Sequence, residues 1–148
     1  MKTVRITKEI NFEMAHALYG HDGPCKDIHG HSYKLTVTLR GKPIDDSASP
    51  KFGMVMDFAD LKRILKSKVT DEFDHAVLVW DQSPFAKMAQ DPLYGNIIPV
   101  SFQPTCENIL LEIVRRVRPE LPDGVELASM RLRETATSYA EWQAEDPN

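Results

Sequence analysis

The chain has 148 residues, enough for one domain (residues 1–148) with a core that folds without disulfide or metal staples. With 42% hydrophobic and 27% charged residues it has the composition of an ordinary soluble globular chain. A net charge of −4 with dispersed basic residues excludes the basic footprint of a nucleic-acid binder, and no apolar run approaches the length of a membrane span. The only cysteines are Cys25 and Cys106, so no disulfide framework is implied and a reducing cytoplasm is the expected setting. The first ten residues alternate instead of forming an apolar run, so no signal peptide is expected.

Residues 3–14 put Val4, Ile6, Ile10, Phe12 and Met14 on one parity and Thr3, Arg5 and Thr7 on the other, which predicts a half-buried antiparallel strand. His16 continues the buried parity; alone it reads as a core histidine with a backbone partner. Residues 17–28, with Gly20, Gly23 and Pro24, form a loop carrying His21 and Cys25. A second strand, His31 to Arg40, places Tyr33, Leu35, Val37 and Leu39 on one face, and His29 and His31 share that parity. Residues i and i+2 of a strand lie about 6.5 Å apart on one face, so these two imidazoles can converge on one metal ion. Cys25 sits just upstream on the turn entering the strand, where a bound cation favours the thiolate.

Residues 41–53 are a turn-rich link. Asp57 is a good N-cap, and Phe58, Leu61, Ile64, Leu65, Lys68 and Val69 follow helical spacing, with Lys62, Arg63 and Lys66 on a solvated face. Asp74-His75 follows this helix. Residues 81–103, with prolines at 84, 92 and 99, read as irregular apart from a short helix near Phe85–Ala89. Thr105 caps a second helix with Ile109, Leu110, Ile113, Val114 and Val117 on its buried stripe, and Pro119 ends it. After the turn Pro122-Asp123-Gly124, Val125–Glu134 and Ser138–Gln143 read as strands. Met130, Leu132 and Glu134 share a parity, which leaves a carboxylate among apolar side chains and in need of a partner. The order β-β-α-α-β-β predicts an α+β fold: a four-stranded antiparallel sheet with both helices on one face. Its open edges point to oligomerisation.

In such a meander the end of the first strand lies beside the start of the second, so His16, His29 and His31 can meet. Three histidines with an open fourth position describe a catalytic zinc site; a closed structural site with Cys25 as fourth ligand is the competing arrangement and leaves no place for substrate.

Phe12-Glu13-Met14-Ala15-His16, Cys25-x-x-x-His29-Gly30-His31-Ser32-Tyr33, Val55-Met56-Asp57-Phe58, Asp74-His75, Pro104-Thr105-Cys106-Glu107-Asn108 and Arg133-Glu134-Thr135 stand in that order. Together they resemble the 6-pyruvoyl-tetrahydropterin synthase family, including its bacterial 6-carboxy-tetrahydropterin synthase branch in queuosine biosynthesis. The resemblance runs from about residue 5 to residue 142. It implies the tunnelling fold, with three subunits closing a barrel and two trimers stacking into a homo-hexamer. It implies Zn2+ on His16, His29 and His31, and a lyase acting on 7,8-dihydroneopterin triphosphate: triphosphate is eliminated and the side chain is rearranged or cleaved, with no external hydride donor. Cys25 matches the family's general base, Asp74 and His75 its second proton carrier, and Glu134 its pterin anchor, a role that accounts for the awkward setting of that carboxylate. Thr105 and Glu107 match the helix start used in the pterin pocket, beside their simpler readings as N-cap and first-turn acid. Cys106 reads as a small buried residue, His21 as a solvated loop histidine, and Lys26 and Arg133 as candidates to meet the triphosphate. The short gap from Cys25 to His29 resembles the carboxy branch, whose products are carboxytetrahydropterin, acetaldehyde and triphosphate. A pyruvoyl product, a pterin aldolase or epimerase activity, and a non-catalytic zinc- or pterin-binding module are the alternatives. The stretch Trp80–Gln103 is longer than in compact members of the family.

Overall fold

The computed structural model describes residues 2–147. Strands β1 (Val4–His16) and β2 (His29–Gly41) form one long antiparallel ladder in which Val4 faces Gly41 and His16 faces His29. The expected alternation is present: Phe12 and Met14 of β1 and Tyr33, Leu35, Val37 and Leu39 of β2 are buried.

The sheet departs from the four-stranded expectation. Before the final pair of strands come β3 (Ala76–Trp80) and β4 (Ile97–Val100), and with β5 (Glu126–Thr135) and β6 (Ser138–Gln143) they make a six-stranded sheet of order β4-β3-β1-β2-β5-β6. β3 runs parallel to β1 and β4 parallel to β3, so the sheet is mixed, not antiparallel throughout. β3 reads Ala-Val-Leu-Val-Trp, and burial of the adjacent Leu78 and Val79 explains why no period of two marks it as a strand. β4 contains Pro99, which cannot donate to a ladder; a strand at the sheet edge tolerates it. The short helix expected near Phe85–Ala89 is a 3-10 segment, Pro84–Gln90.

The first helical region is α1 (Phe58–Leu65), a π-helical turn (Lys66–Thr70) and α2 (Asp71–Phe73) in unbroken succession. Asp57 caps it by accepting from the Ala59 amide at 2.8 Å. Leu61, Leu65, Val69 and Phe73 are fully buried. A repeat of four overshoots the 3.6-residue turn by about 40° each time, and the wider π turn absorbs that drift and keeps Phe73 on the core face. α3 (Cys106–Val117) buries Ile109, Leu110, Ile113, Val114 and Val117. The Thr105 hydroxyl accepts from the Asn108 amide at 3.1 Å, so Thr105→Ala is expected to lower stability by about 1 kcal/mol in urea unfolding, with Thr105→Ser close to wild type.

The helical residues join Phe12, Tyr33, Leu35, Val37, Leu39, Met130 and Leu132 in one core. The opposite sheet face is polar and paired across strands: Thr7 with Thr38, Ser32 with Glu13, Lys34 with Glu9 and Arg131 with Glu141. No described helix is long and apolar enough to cross a membrane.

Candidate active site

The register that sets His16 opposite His29 places three imidazoles at one end of the β1–β2 ladder. One ring nitrogen from each of His16, His29 and His31 lies within 4.8 Å of the others. His16 is buried, at 1% exposure, and the other two are partly buried.

The outer nitrogens fix the tautomers. His16 Nδ1 lies 2.6 Å from the Pro104 carbonyl and His29 Nδ1 lies 2.7 Å from the Asp27 carbonyl. A carbonyl only accepts, so both Nδ1 atoms carry protons, and in the neutral rings both Nε2 atoms present lone pairs. Those two Nε2 atoms lie 3.0 Å apart. Two lone pairs at that distance repel unless a proton or a cation sits between them. Burial pushes the His16 imidazolium below its usual range, more strongly than the nearby Glu134 carboxylate and Pro104 carbonyl raise it. Burial likewise lowers His31, whose Nε2 is buried with no hydrogen-bond partner among the described residues. Neutral imidazoles with carbonyl-oriented outer nitrogens, inward lone pairs and one unpartnered nitrogen are what a divalent transition metal requires of its ligands. The donor set therefore fits a metal ion.

Glu134 closes one side of the triad. Its Oε1 lies 3.6 Å from His31 Nε2 and its Oε2 lies 3.9 Å from His16 Nε2. The Tyr33 hydroxyl donates to Oε2 at 3.5 Å. Burial and that carboxylate push the Tyr33 phenol above its ordinary range, so it remains a donor. Tyr33 reads in the sequence only as a core residue; its parity, shared with His31, is the signal that it reaches the site. Glu134 and Glu107 also line a cavity of about 390 Å3 with Cys106, Ser138, Tyr139, Ala140 and Glu141. Burial, then Glu134, pushes the Cys106 thiol up to about 11, and its Sγ donates to the Leu132 carbonyl at 3.3 Å.

Asp74 and His75 lie on the other side. Asp74 Oδ1 accepts from the Glu13 amide at 2.9 Å, and His75 Nδ1 is 3.1 Å from the same oxygen. The Glu13 hydrogen bond, helped by His75, holds the Asp74 carboxyl below the usual range. His75 has φ of 65°, left-handed backbone that is uncommon outside glycine, and its amide donates to the Glu13 carbonyl at 2.6 Å. The pair is exposed in the single chain, and His75 shares an open groove of about 380 Å3 with His31, Glu13 and Ala76. Cys25 is half-buried on the 3-10 turn Pro24–Lys26 that leads into β2. Among the described residues the convergent set is the three histidines without Cys25. Two contacts escape the sequence altogether, the carbonyls of Pro104 and Asp27, because backbone acceptors carry no residue-type signal.

A family model described as 6-pyruvoyl tetrahydropterin synthase matches residues 5–145. A Haemophilus influenzae protein named 6-carboxy-5,6,7,8-tetrahydropterin synthase is 40% identical over 144 residues, covering 94% of this chain and 98% of its own. A Rickettsia typhi protein of the same name is 29% identical over 141 residues, covering 93% and 99%. Among solved structures, an uncharacterized protein of Wolinella succinogenes superposes with TM-score 0.78 at 23% identity over 98% of this chain and 100% of that one. Caenorhabditis elegans 6-pyruvoyl tetrahydropterin synthase superposes with TM-score 0.68 at 22% identity over 98% of each. At those identities the structural likeness is one of fold. The family match and the Haemophilus relative extend over nearly the whole chain, and the chain belongs to the 6-pyruvoyl tetrahydropterin synthase family.

Proposed function

We propose that the protein is a zinc-dependent 6-carboxy-5,6,7,8-tetrahydropterin synthase. This lyase converts 7,8-dihydroneopterin triphosphate and water to carboxytetrahydropterin, acetaldehyde and triphosphate. The observation that carries the reading is the inward convergence of three imidazoles beside a carboxylate. Full-length relatives bearing that activity in their names support it.

His16, His29 and His31 would hold the ion, and zinc bound there supplies Lewis-acid polarisation of the substrate's side-chain oxygens. The Pro104 and Asp27 carbonyls keep the imidazole lone pairs directed inward. Glu134 anchors the pterin: a carboxylate accepts two parallel N–H bonds from the amino-pyrimidinone edge, and the Tyr33 hydroxyl steadies it from behind. Cys25 as thiolate removes a proton from a side-chain carbon, and His75, oriented by ionised Asp74, carries the second proton. Thr105 and Glu107 border the pterin pocket at the start of α3. Asp74 and His75 are exposed in the single chain, and assembly through open sheet edges into a dimer of trimers would bring a neighbour's site against them.

Product analysis tests the reading. Zinc-loaded protein given dihydroneopterin triphosphate is expected to release acetaldehyde and a carboxypterin. A pyruvoyl product identifies the other branch, glycolaldehyde an aldolase, and tight zinc without turnover a binding module. Glu134→Gln keeps the shape but replaces one acceptor with a donor. It is expected to keep metal and to lower kcat/KM about 10- to 100-fold, the worth of a charge-assisted hydrogen bond.

A further inference from the structure

Gln103 and Pro104 join the segment after β4 to the first turn of α3, and this dipeptide grips two parts of the site. The Pro104 carbonyl accepts from His16 Nδ1 at 2.6 Å. The Gln103 side-chain Nε2 donates to the Tyr19 carbonyl at 2.8 Å. Tyr19 belongs to the loop that carries Cys25, and its ring meets Phe85 edge-on with centroids 6.5 Å apart. One residue earlier the loop closes on itself, the Leu18 amide donating to the Cys25 carbonyl at 3.0 Å. A shift of Tyr19 therefore reaches Cys25 through a single residue.

Gln103 is itself fixed from the helix side. Its backbone carbonyl accepts from the Thr105 amide at 2.8 Å and from the Asn108 side-chain amide at 3.0 Å. Its side-chain Oε1 is buried without a hydrogen-bond partner among the described residues. A buried acceptor left unpaired costs stability, so the amide is held in this orientation by its donor end, the bond to Tyr19.

We propose that Gln103 is a positioning residue: by tying the Cys25 loop to the dipeptide whose neighbouring carbonyl orients His16, it sets the thiol relative to the imidazole triad. The segment between β3 and β4 contributes through Phe85, which braces the ring of Tyr19. This inference rests on the reading of Cys25 as the base of a tetrahydropterin synthase.

Gln103→Glu and Gln103→Leu test it in the full chain. Both remove the donor, and Leu also removes the unpaired acceptor, so it is the variant that folds if a buried carboxylate does not. Both are expected to hold metal at the wild-type ratio, to keep KM, and to lose kcat about 10- to 100-fold, the scale of an ångström-level misplacement of a reacting group. Iodoacetamide should modify Cys25 several-fold faster once the loop is released, followed by peptide mass. Cys106, with its thiol pushed up to about 11, reacts too slowly to compete. Wild-type kcat and labelling rate in both variants would overturn the proposal. So would metal loss in parallel with kcat, or failure of both variants to fold, either of which assigns Gln103 to the scaffold. If the wild-type protein does not turn over the pterin, the assigned reaction falls, while the labelling rate still decides whether Gln103 restrains the loop.

Discussion

Cys25→Ala is expected to retain one metal ion per chain and to lose turnover by about 10²- to 10⁴-fold, the usual contribution of a positioned proton acceptor. The thiol lies on the turn Pro24–Lys26, and the convergent imidazole set does not include it. Removing the sulfur leaves the His16–Pro104 and His29–Asp27 hydrogen bonds untouched. The backbone tie from Leu18 to the Cys25 carbonyl also survives, since it uses no side-chain atom. Metal analysis and acetaldehyde release on the same preparation are the measurements. Retained metal with lost product assigns the sulfur to proton transfer. Loss of stoichiometric metal would make Cys25 a fourth ligand and the site a closed, structural one.

The parts of this site legible in the sequence are those governed by side-chain parity. His16 follows Met14 at the end of an alternating strand, and His29 and His31 share the parity of Tyr33 and Leu35, so their meeting follows from strand geometry alone. Glu134 is legible for the same reason, as a carboxylate in phase with Met130 and Leu132. Thr105 as a cap is local chemistry. What is not legible lies elsewhere. β3 is apolar on both parities, so it reads as neither strand nor helix, and β4 carries the breaker Pro99 that only its edge position permits. The π turn that keeps Phe73 buried is a response to packing, which no local propensity announces. The second tier of the site is built from backbone carbonyls, one of them local, Asp27 two residues before His29, and the others far away in sequence. Pro104 reaches His16 and Gln103 reaches Tyr19 across more than eighty residues, through carbonyl acceptors that every residue possesses. The site is thus divided between histidines set by one ladder and backbone carbonyls beyond it, and it is the carbonyls that fix tautomers and aim.

His29→Ala is expected to abolish stoichiometric metal binding and to lower kcat/KM by at least about 10³-fold, equivalent to the several kcal/mol that Lewis-acid stabilisation supplies. Removing His29 leaves two imidazole donors of the convergent three. The substitution has a second effect, which is read without metal. In the metal-free wild-type protein, burial holds the His16 and His31 imidazolium forms below their usual range. The unfolded chain protonates those residues near pH 6.5 while the folded chain resists until lower pH. As pH falls below about 6.5 the unfolded state therefore takes up protons first, and stability drops until the lowered folded values are reached, then levels off. Above pH 6.5 these residues contribute no slope. The nearby His29 imidazole opposes protonation of both His16 and His31, so the metal-free His29→Ala variant should show a shallower decline over the same window. Urea unfolding of chelator-treated protein between pH 5 and pH 8 measures it. A decline as steep in His29→Ala as in the wild type would mean that burial alone, and not the neighbouring imidazole, holds His16 and His31 down.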